Sequence, residues 1–225
     1  YVSYYDAVFA TPGYYFSYTL ILNDTQHFDK NYQYDVSGVT DYFYVNQNTV
    51  WYENAFNATD NEFLSGVSTY FEKDTNWELA IYVNSRLQLV QSGFNTPGYY
   101  TINLNYPVPL VKGDVFEILF RITVDGDAGF PISEPISLTK STITPQTSFI
   151  SLDGREYYDL YDLSHEYPGH TYYNQVACIK GFTQLINLRL SLADLNITHV
   201  SFDMFDIAAV LVDENSNHVR NGNVT

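Results

Sequence analysis

Val115-Phe-Glu-Ile-Leu-Phe-Arg-Ile-Thr-Val124 sets Phe116, Ile118, Phe120 and Ile122 on one side of an extended chain and Glu117, Arg121 and Thr123 on the other. Successive side chains of an extended backbone point to opposite faces, so this alternation reads as a strand buried on one side. The same pattern lies upstream. Leu79, Ile81 and Val83 alternate with Glu78 and Tyr82, and Val67, Thr69 and Phe71 form another such row. Pro97-Gly98, Lys112-Gly113-Asp114, Asp125-Gly126-Asp127 and Asp153-Gly154 supply turn chemistry between the runs. Turns at strand-length spacing, without a 3.6-residue period, point to an all-β, antiparallel β-sandwich.

Strands are expected near 31–36, 50–59, 64–72, 77–84, 87–92, 99–104, 115–124, 147–152 and 176–182. The Pro-, Ser- and Thr-rich stretch 126–146 is read as a long surface loop with a short strand at most. Phe116, Ile118, Phe120, Ile122, Ile81 and Cys178 are the expected core, with Trp51 as an aromatic anchor within it.

Composition narrows the function. The 225 residues are 17% aromatic, with 22 Tyr and 15 Phe, and only 16% charged. Aromatic and β-branched residues suit a pleated, half-buried surface. Twenty-six acidic against ten basic residues give a formal net charge of -16. That balance excludes nucleic acid, since so few cations cannot neutralise a run of phosphates, and it opposes docking on anionic lipid. No apolar run of about 18 residues is present, so direct membrane insertion is not expected. Cys178 is alone, which rules out an internal disulfide framework. The triplets at Asn23, Asn57, Asn196 and Asn223 would accept glycans in a cell that glycosylates secreted chains. The expected setting is extracellular, secreted or on the cell surface.

No residue set spells out catalysis. The available thiol–imidazole pairing is Cys178 with His165 or His170. Cys178 lies in the apolar run Val176-Ala177-Cys178-Ile179, where a thiol is expected to be buried and inert. The five His are scattered without the spacing of a zinc site. Asp125 with Asp127, and Asp60 with Glu62, are the densest oxygen clusters and the calcium candidates, but calcium takes about six to eight oxygen ligands. Solvated turns are the simpler reading of both clusters, and no other cofactor is expected. Aromatics carry more information. Tyr157, Tyr158 and Tyr161 follow the Asp153-Gly154 turn and are the candidate glycan-binding residues, since flat rings stack on the C–H faces of sugars.

Six separated motifs carry a family resemblance. They are Tyr32-Gln-Tyr-Asp-Val-Ser-Gly38, Glu53-Asn-Ala-Phe56, Gly98-Tyr-Tyr-Thr-Ile-Asn-Leu104, Val108-Pro-Leu-Val-Lys-Gly-Asp-Val-Phe116, Ser148-Phe-Ile-Ser-Leu-Asp-Gly154 and Ala177-Cys-Ile-Lys-Gly-Phe-Thr183. In that order they resemble the lectin-like domain that follows papain-family cysteine peptidases in adhesin-like surface proteins, many from methanogenic archaea. The resemblance implies a jelly-roll or lectin-like sandwich over residues 29–183. It also implies that residues 1–28 are the last strands of a papain-like domain, whose catalytic residues would precede Tyr1. Residues 184–225 would be a linker and the first strands of an Ig-like repeat, with Ser216 where the usual turn Gly stands. The flanking β segments would then be incomplete, and the chain a piece of a longer protein.

The implied function is a non-catalytic module that binds glycan or cell-wall polymer, or positions the neighbouring peptidase. One alternative is a ligand-free spacer between the peptidase and an Ig-like stalk. Another is a part of a working peptidase that the module restrains or directs. A fold by itself does not choose among them.

Overall fold

A computed structural model describes residues 28–134, 143–166 and 175–185, apart from the side chains of residues 164–166. The strands are β1 (Lys30–Gln33), β2 (Asp41–Tyr44), β3 (Thr49–Asn57), β4 (Glu62–Phe71), β5 (Thr75–Val83), β6 (Arg86–Asn95) and β7 (Gly98–Leu110). They continue with β8 (Val115–Val124), β9 (Gly129–Ser133), β10 (Ser148–Ser151), β11 (Tyr158–Asp159), β12 (Val176–Ala177) and β13 (Lys180–Leu185). One short helix, α1 (Leu160–Glu166), follows β11. Its start is capped by Asp159, whose Oδ1 accepts a hydrogen bond from the Tyr161 amide at 2.9 Å.

Every pairing among these strands is antiparallel. Six strands form one sheet in the order β11-β10-β3-β8-β5-β6. Opposite it lie a four-stranded sheet, β1-β13-β4-β7, and a three-stranded sheet, β12-β9-β2. The layers meet through aromatic rings. Phe120 of the large sheet faces Phe71 of the four-stranded sheet at 6.4 Å, and Tyr52 faces Phe130 of the three-stranded sheet at 5.3 Å. This is the all-β sandwich that the alternation predicts.

The expected core is confirmed residue by residue. Phe116, Ile118, Phe120, Ile81 and Cys178 are 0% exposed and Ile122 is 2% exposed. Burying side chains of this size contributes roughly 1.5–3 kcal/mol each. One expectation is overturned. Trp51 lies on the outer face of β3, because the odd residues of that strand alternate with buried Val50, Tyr52, Asn54 and Phe56. The core indole is Trp77, whose Nε1 donates to Asn95 at 2.7 Å. Its ring lies over Gly93, where a Cβ would stand 2.4 Å from the Trp77 ring.

The stretch read as surface loop from 126 to 146 contains β9, and β9 is buried along its whole length. Its partners are β2 on one side and β12 on the other. Gly129 and Pro131 made the run read as loop, yet Phe130 and Ile132 fill the core. β2 and the helix also lie outside the expected elements, being too short to show a period. The expected strand 176–182 is divided, with Cys178 and Ile179 linking β12 to β13. Buried link backbone needs partners outside a ladder. Asn54 Nδ2 donates to the Ala177 carbonyl at 2.9 Å, the Ala177 amide to Ser148 Oγ at 2.9 Å, and Thr69 Oγ1 to the Cys178 carbonyl at 2.9 Å.

A buried ion pair ties the first and last described strands together. Lys180 Nζ lies 2.5 Å from Asp35 Oδ2, and the Asp35 side chain is 0% exposed. Burial, only partly offset by Lys180, pushes the Asp35 carboxyl above the ordinary aspartate range. The exposed edge of β6 is covered differently. Tyr106 of β7 donates to the Gln88 carbonyl at 2.8 Å, and Gln91 bridges to Asn103 O and Asn105 N. Side chains thus occupy edge groups that would otherwise recruit another strand. The proposed peptidase tail (1–28) and the linker with Ig-like start (184–225) lie outside the described residues, apart from Phe28, Gln184 and Leu185.

Candidate functional site

The face of the six-stranded sheet that points away from the core is built in rows. One row runs Phe149, Glu53, Leu119, Ala80, Val90 across β10, β3, β8, β5 and β6. The next holds Ala55, Glu117, Tyr82 and Leu87, and the row on the other side holds Trp51, Arg121, Glu78 and Ser92. Leu119 and Ala80 are the apolar floor, at 9% and 7% exposure, because larger neighbours surround them. Val90 and Leu87 stay about half exposed at 52% and 53% along the β6 side.

The charges on this face are unequally satisfied. Arg121 extends over the Trp51 ring, with Cζ 5.4 Å from the centroid, a cation–π contact. Trp51 is held from its other neighbours by the Asp153-Gly154 turn, where Gly154 has φ +71° and a Cβ would stand 2.9 Å from the indole. Glycine meets both demands, since it adopts that φ without strain and adds no atom there. Ser151 Oγ accepts from the Gly154 amide at 2.9 Å, and Asp153 Oδ1 accepts from the Arg155 and Glu156 amides. Those amides hold the Asp153 carboxyl below its ordinary range.

Glu53 and Glu117 have no such help. Glu53 is paired in register with Leu119, two residues from Glu117, so the carboxylates are diagonal neighbours. Both are half-buried, and among the described residues neither forms a hydrogen bond or an ion pair. Burial beside Phe149 and Leu119, reinforced by the Glu117 charge, pushes the Glu53 carboxyl up to about 7. Burial also raises Glu117.

The expected glycan residues divide among three environments. Tyr157 is half-buried, with Glu53 and Tyr82 among its charged neighbours, and burial pushes its phenol up to about 12. It therefore borders the open face. Tyr158 is 46% exposed on the sheet-edge strand β11, its hydroxyl donating to Glu156 at 3.1 Å. Tyr161 starts α1 and packs against the core. Trp51, Tyr82, Glu53 and Arg121 complete the face, and the sequence reading did not select them as a site. Alternation already pointed Glu117 and Arg121 outward; which outward residues are neighbours depends on strand order.

The oxygen clusters serve other ends. Lys30 bridges Asp60 and Glu62, and Glu62, 0% exposed, also accepts from Tyr32 and from Thr183 Oγ1 at 2.5 Å. Asp125 is exposed, while Asp127 has one buried carboxylate oxygen, Oδ1, without a hydrogen-bond partner. Among the described residues no three His, Cys, Asp or Glu side chains converge as a metal site. Cys178 is fully buried, and burial with the nearby Asp35 charge pushes its thiol up. The side chain of His165, and His170 as a whole, lie outside the described residues. Alkylation of Cys178 is expected to be slow in the folded chain and to accelerate only with unfolding. A labelling time course across a urea series checks this, and fast labelling without denaturant would show an accessible thiolate.

Comparison with known proteins follows the geometry. The model of the lectin-like domain family matches residues 31–183. No curated protein matches the chain. Among solved structures, a clostridial cysteine protease, Cwp84 after propeptide cleavage, aligns with a TM-score of 0.56 at 20% identity, over 69% of this chain and 40% of that one. The cysteine protease and lectin-like domains of Cwp84, a surface layer associated protein of Clostridium difficile, align with a TM-score of 0.50 at 19% identity, over 62% of this chain and 33% of that one. At these identities the likeness is one of fold, and the chain spans less than half of either structure.

Proposed function

The chain belongs to the lectin-like domain family, and we propose that it is a non-catalytic module whose open six-stranded sheet face binds polysaccharide. The observation that supports this reading is the composition of that face. Trp51, Tyr82 and Tyr157 offer rings at its border, and half-buried carboxylates without protein partners lie between them. Stacking on sugar C–H faces, with a few polar groups orienting hydroxyls, is the usual division of labour in a ligand site. Tyr158 at the exposed edge extends the same border.

Cwp84 joins a lectin-like domain to a cysteine protease and is surface-layer associated. By analogy, the module would work outside the cell and hold an adjacent peptidase at a cell-wall polymer. The described residues would show no peptidase activity of their own, because their one thiol is buried and protonated.

Retention on insoluble cell-wall polysaccharide tests the reading. Trp51→Ala with Tyr157→Ala is expected to weaken retention about tenfold or more, equal to about 1.4 kcal/mol. Near-native thermal unfolding is expected, since both side chains sit outside the core. Tyr161→Ala should instead lower stability, as its ring packs against the core. Wild-type retention in the double variant would turn the assignment toward a ligand-free spacer.

A further inference from the structure

We propose that the polysaccharide taken by the open face carries free primary amines, a glucosamine-type polymer, and that Glu53 and Glu117 together receive one ammonium group. The inference rests on the proposed glycan-binding reading and adds the ligand's chemical class. Its basis is an unbalanced charge in an otherwise well-satisfied molecule. The most buried carboxylates of the chain are partnered, Asp35 by Lys180 and Glu62 by Tyr32, Thr183 and Lys30. Glu53 and Glu117 are not, although they are half-buried diagonal neighbours of like charge. Partly desolvated carboxylates side by side raise each other's cost of ionising. A cation seated between them removes that cost, whereas an acetamido group leaves it in place and covers the carboxylates further.

The surroundings fit a cationic sugar. Arg121, on the same strand, is drawn over Trp51, so it leaves the carboxylate pair without a protein cation. Tyr82 is paired in register with Glu117, and Tyr157 is an electrostatic neighbour of Glu53. Both rings can stack on a sugar or face its ammonium. The other charged groups near the pair are Glu78 on β5 and Asp153 in the turn after β10. Asp159 on β11 is turned to the amides of Gln146 and Tyr161. The field at the pair is therefore negative and selects against uronic acids and phosphate-bearing polymers.

The test compares glucosamine oligosaccharide with fully N-acetylated oligosaccharide of equal length, by calorimetry on the full chain in buffers of different ionisation enthalpy. At pH about 6 the free amine is charged, while Glu53, with its midpoint of about 7, is mostly protonated. Ion pairing draws that midpoint down, so binding is expected to release a proton. The glucosamine oligosaccharide should bind about tenfold tighter than the acetylated one. Glu53→Gln should erase both the preference and the proton release without loss of thermal stability. Equal or tighter binding of the acetylated ligand, still lost in Trp51→Ala, would overturn the amine inference and leave the glycan-binding reading standing. A preference that survives Glu53→Gln would overturn the assignment to this pair. Binding of neither oligosaccharide nor any cell-wall polysaccharide would overturn both readings together.

Discussion

Replacing Phe120 by alanine is expected to lower the free energy of unfolding by about 3–5 kcal/mol. Phe120 is fully buried on β8, the strand between β3 and β5 in the large sheet. Its ring meets Tyr52 at 5.7 Å and Trp77 at 6.4 Å within that sheet, and Phe71 at 6.4 Å across the sandwich. Neighbours held on opposing ladders cannot close in on the space left by the ring, so a cavity cost adds to the lost transfer energy. Denaturant unfolding should show a lower midpoint with an unchanged slope, the mark of altered stability without altered compactness. Phe94→Ala is the control, because that side chain is 55% exposed and its loss should cost within about 0.5 kcal/mol. A cost below about 1 kcal/mol at Phe120 would contradict the packing described above.

Lys180→Met is expected to cost a similar amount near neutral pH, about 3–5 kcal/mol, for an electrostatic reason. The substitution keeps the apolar stem and removes the cation from Asp35, whose Oδ1 already lacks a hydrogen-bond partner. A lone carboxylate in a dry site must take up a proton or destabilise the fold. Its folded-state pKa is raised in the wild type and rises further without Lys180. Between the unfolded aspartate value of about 3.9 and that raised value the native state binds more protons than the unfolded state. Stability therefore falls as pH rises through this window, and the loss is smallest at acid pH. Unfolding curves at several pH values should show the variant converging on the wild type as pH falls. Adding Asp35→Leu to Lys180→Met should recover much of the loss, since it removes the stranded charge. A deficit independent of pH would mean that lost packing, and not charge, explains it.

How far the sequence reached can be judged strand by strand. β3, β4, β5, β7 and β8 are long enough to repeat their period several times, and each was expected within a few residues of its place. β2, β11 and β12 have four residues or fewer, and β9 carries Gly129 and Pro131, so neither period nor composition marked them. Trp51 and Trp77 show the same limit at single-residue scale. Both begin apolar-looking runs, and only the phase of the flanking strand separates the outer indole from the buried one. The candidate face was harder still. Glu117 and Arg121 were legible as outward residues, and Tyr157 as a candidate ring. Their association with Glu53, Tyr82 and Trp51 was not, because these residues lie on four different segments of the chain.

The sequence by itself determined that this is an acidic, aromatic-rich sandwich of antiparallel strands, and which face of each long strand is apolar. A period of two follows from local backbone geometry, so local residues reveal it. Strand order and register were decided by the tertiary structure, because they arise from pairing between distant segments and from the fit of rings across the layers. Through that order Glu53 came to stand beside Glu117 without a counter-ion, Arg121 was drawn over Trp51, and Lys180 reached Asp35 across 145 residues of chain.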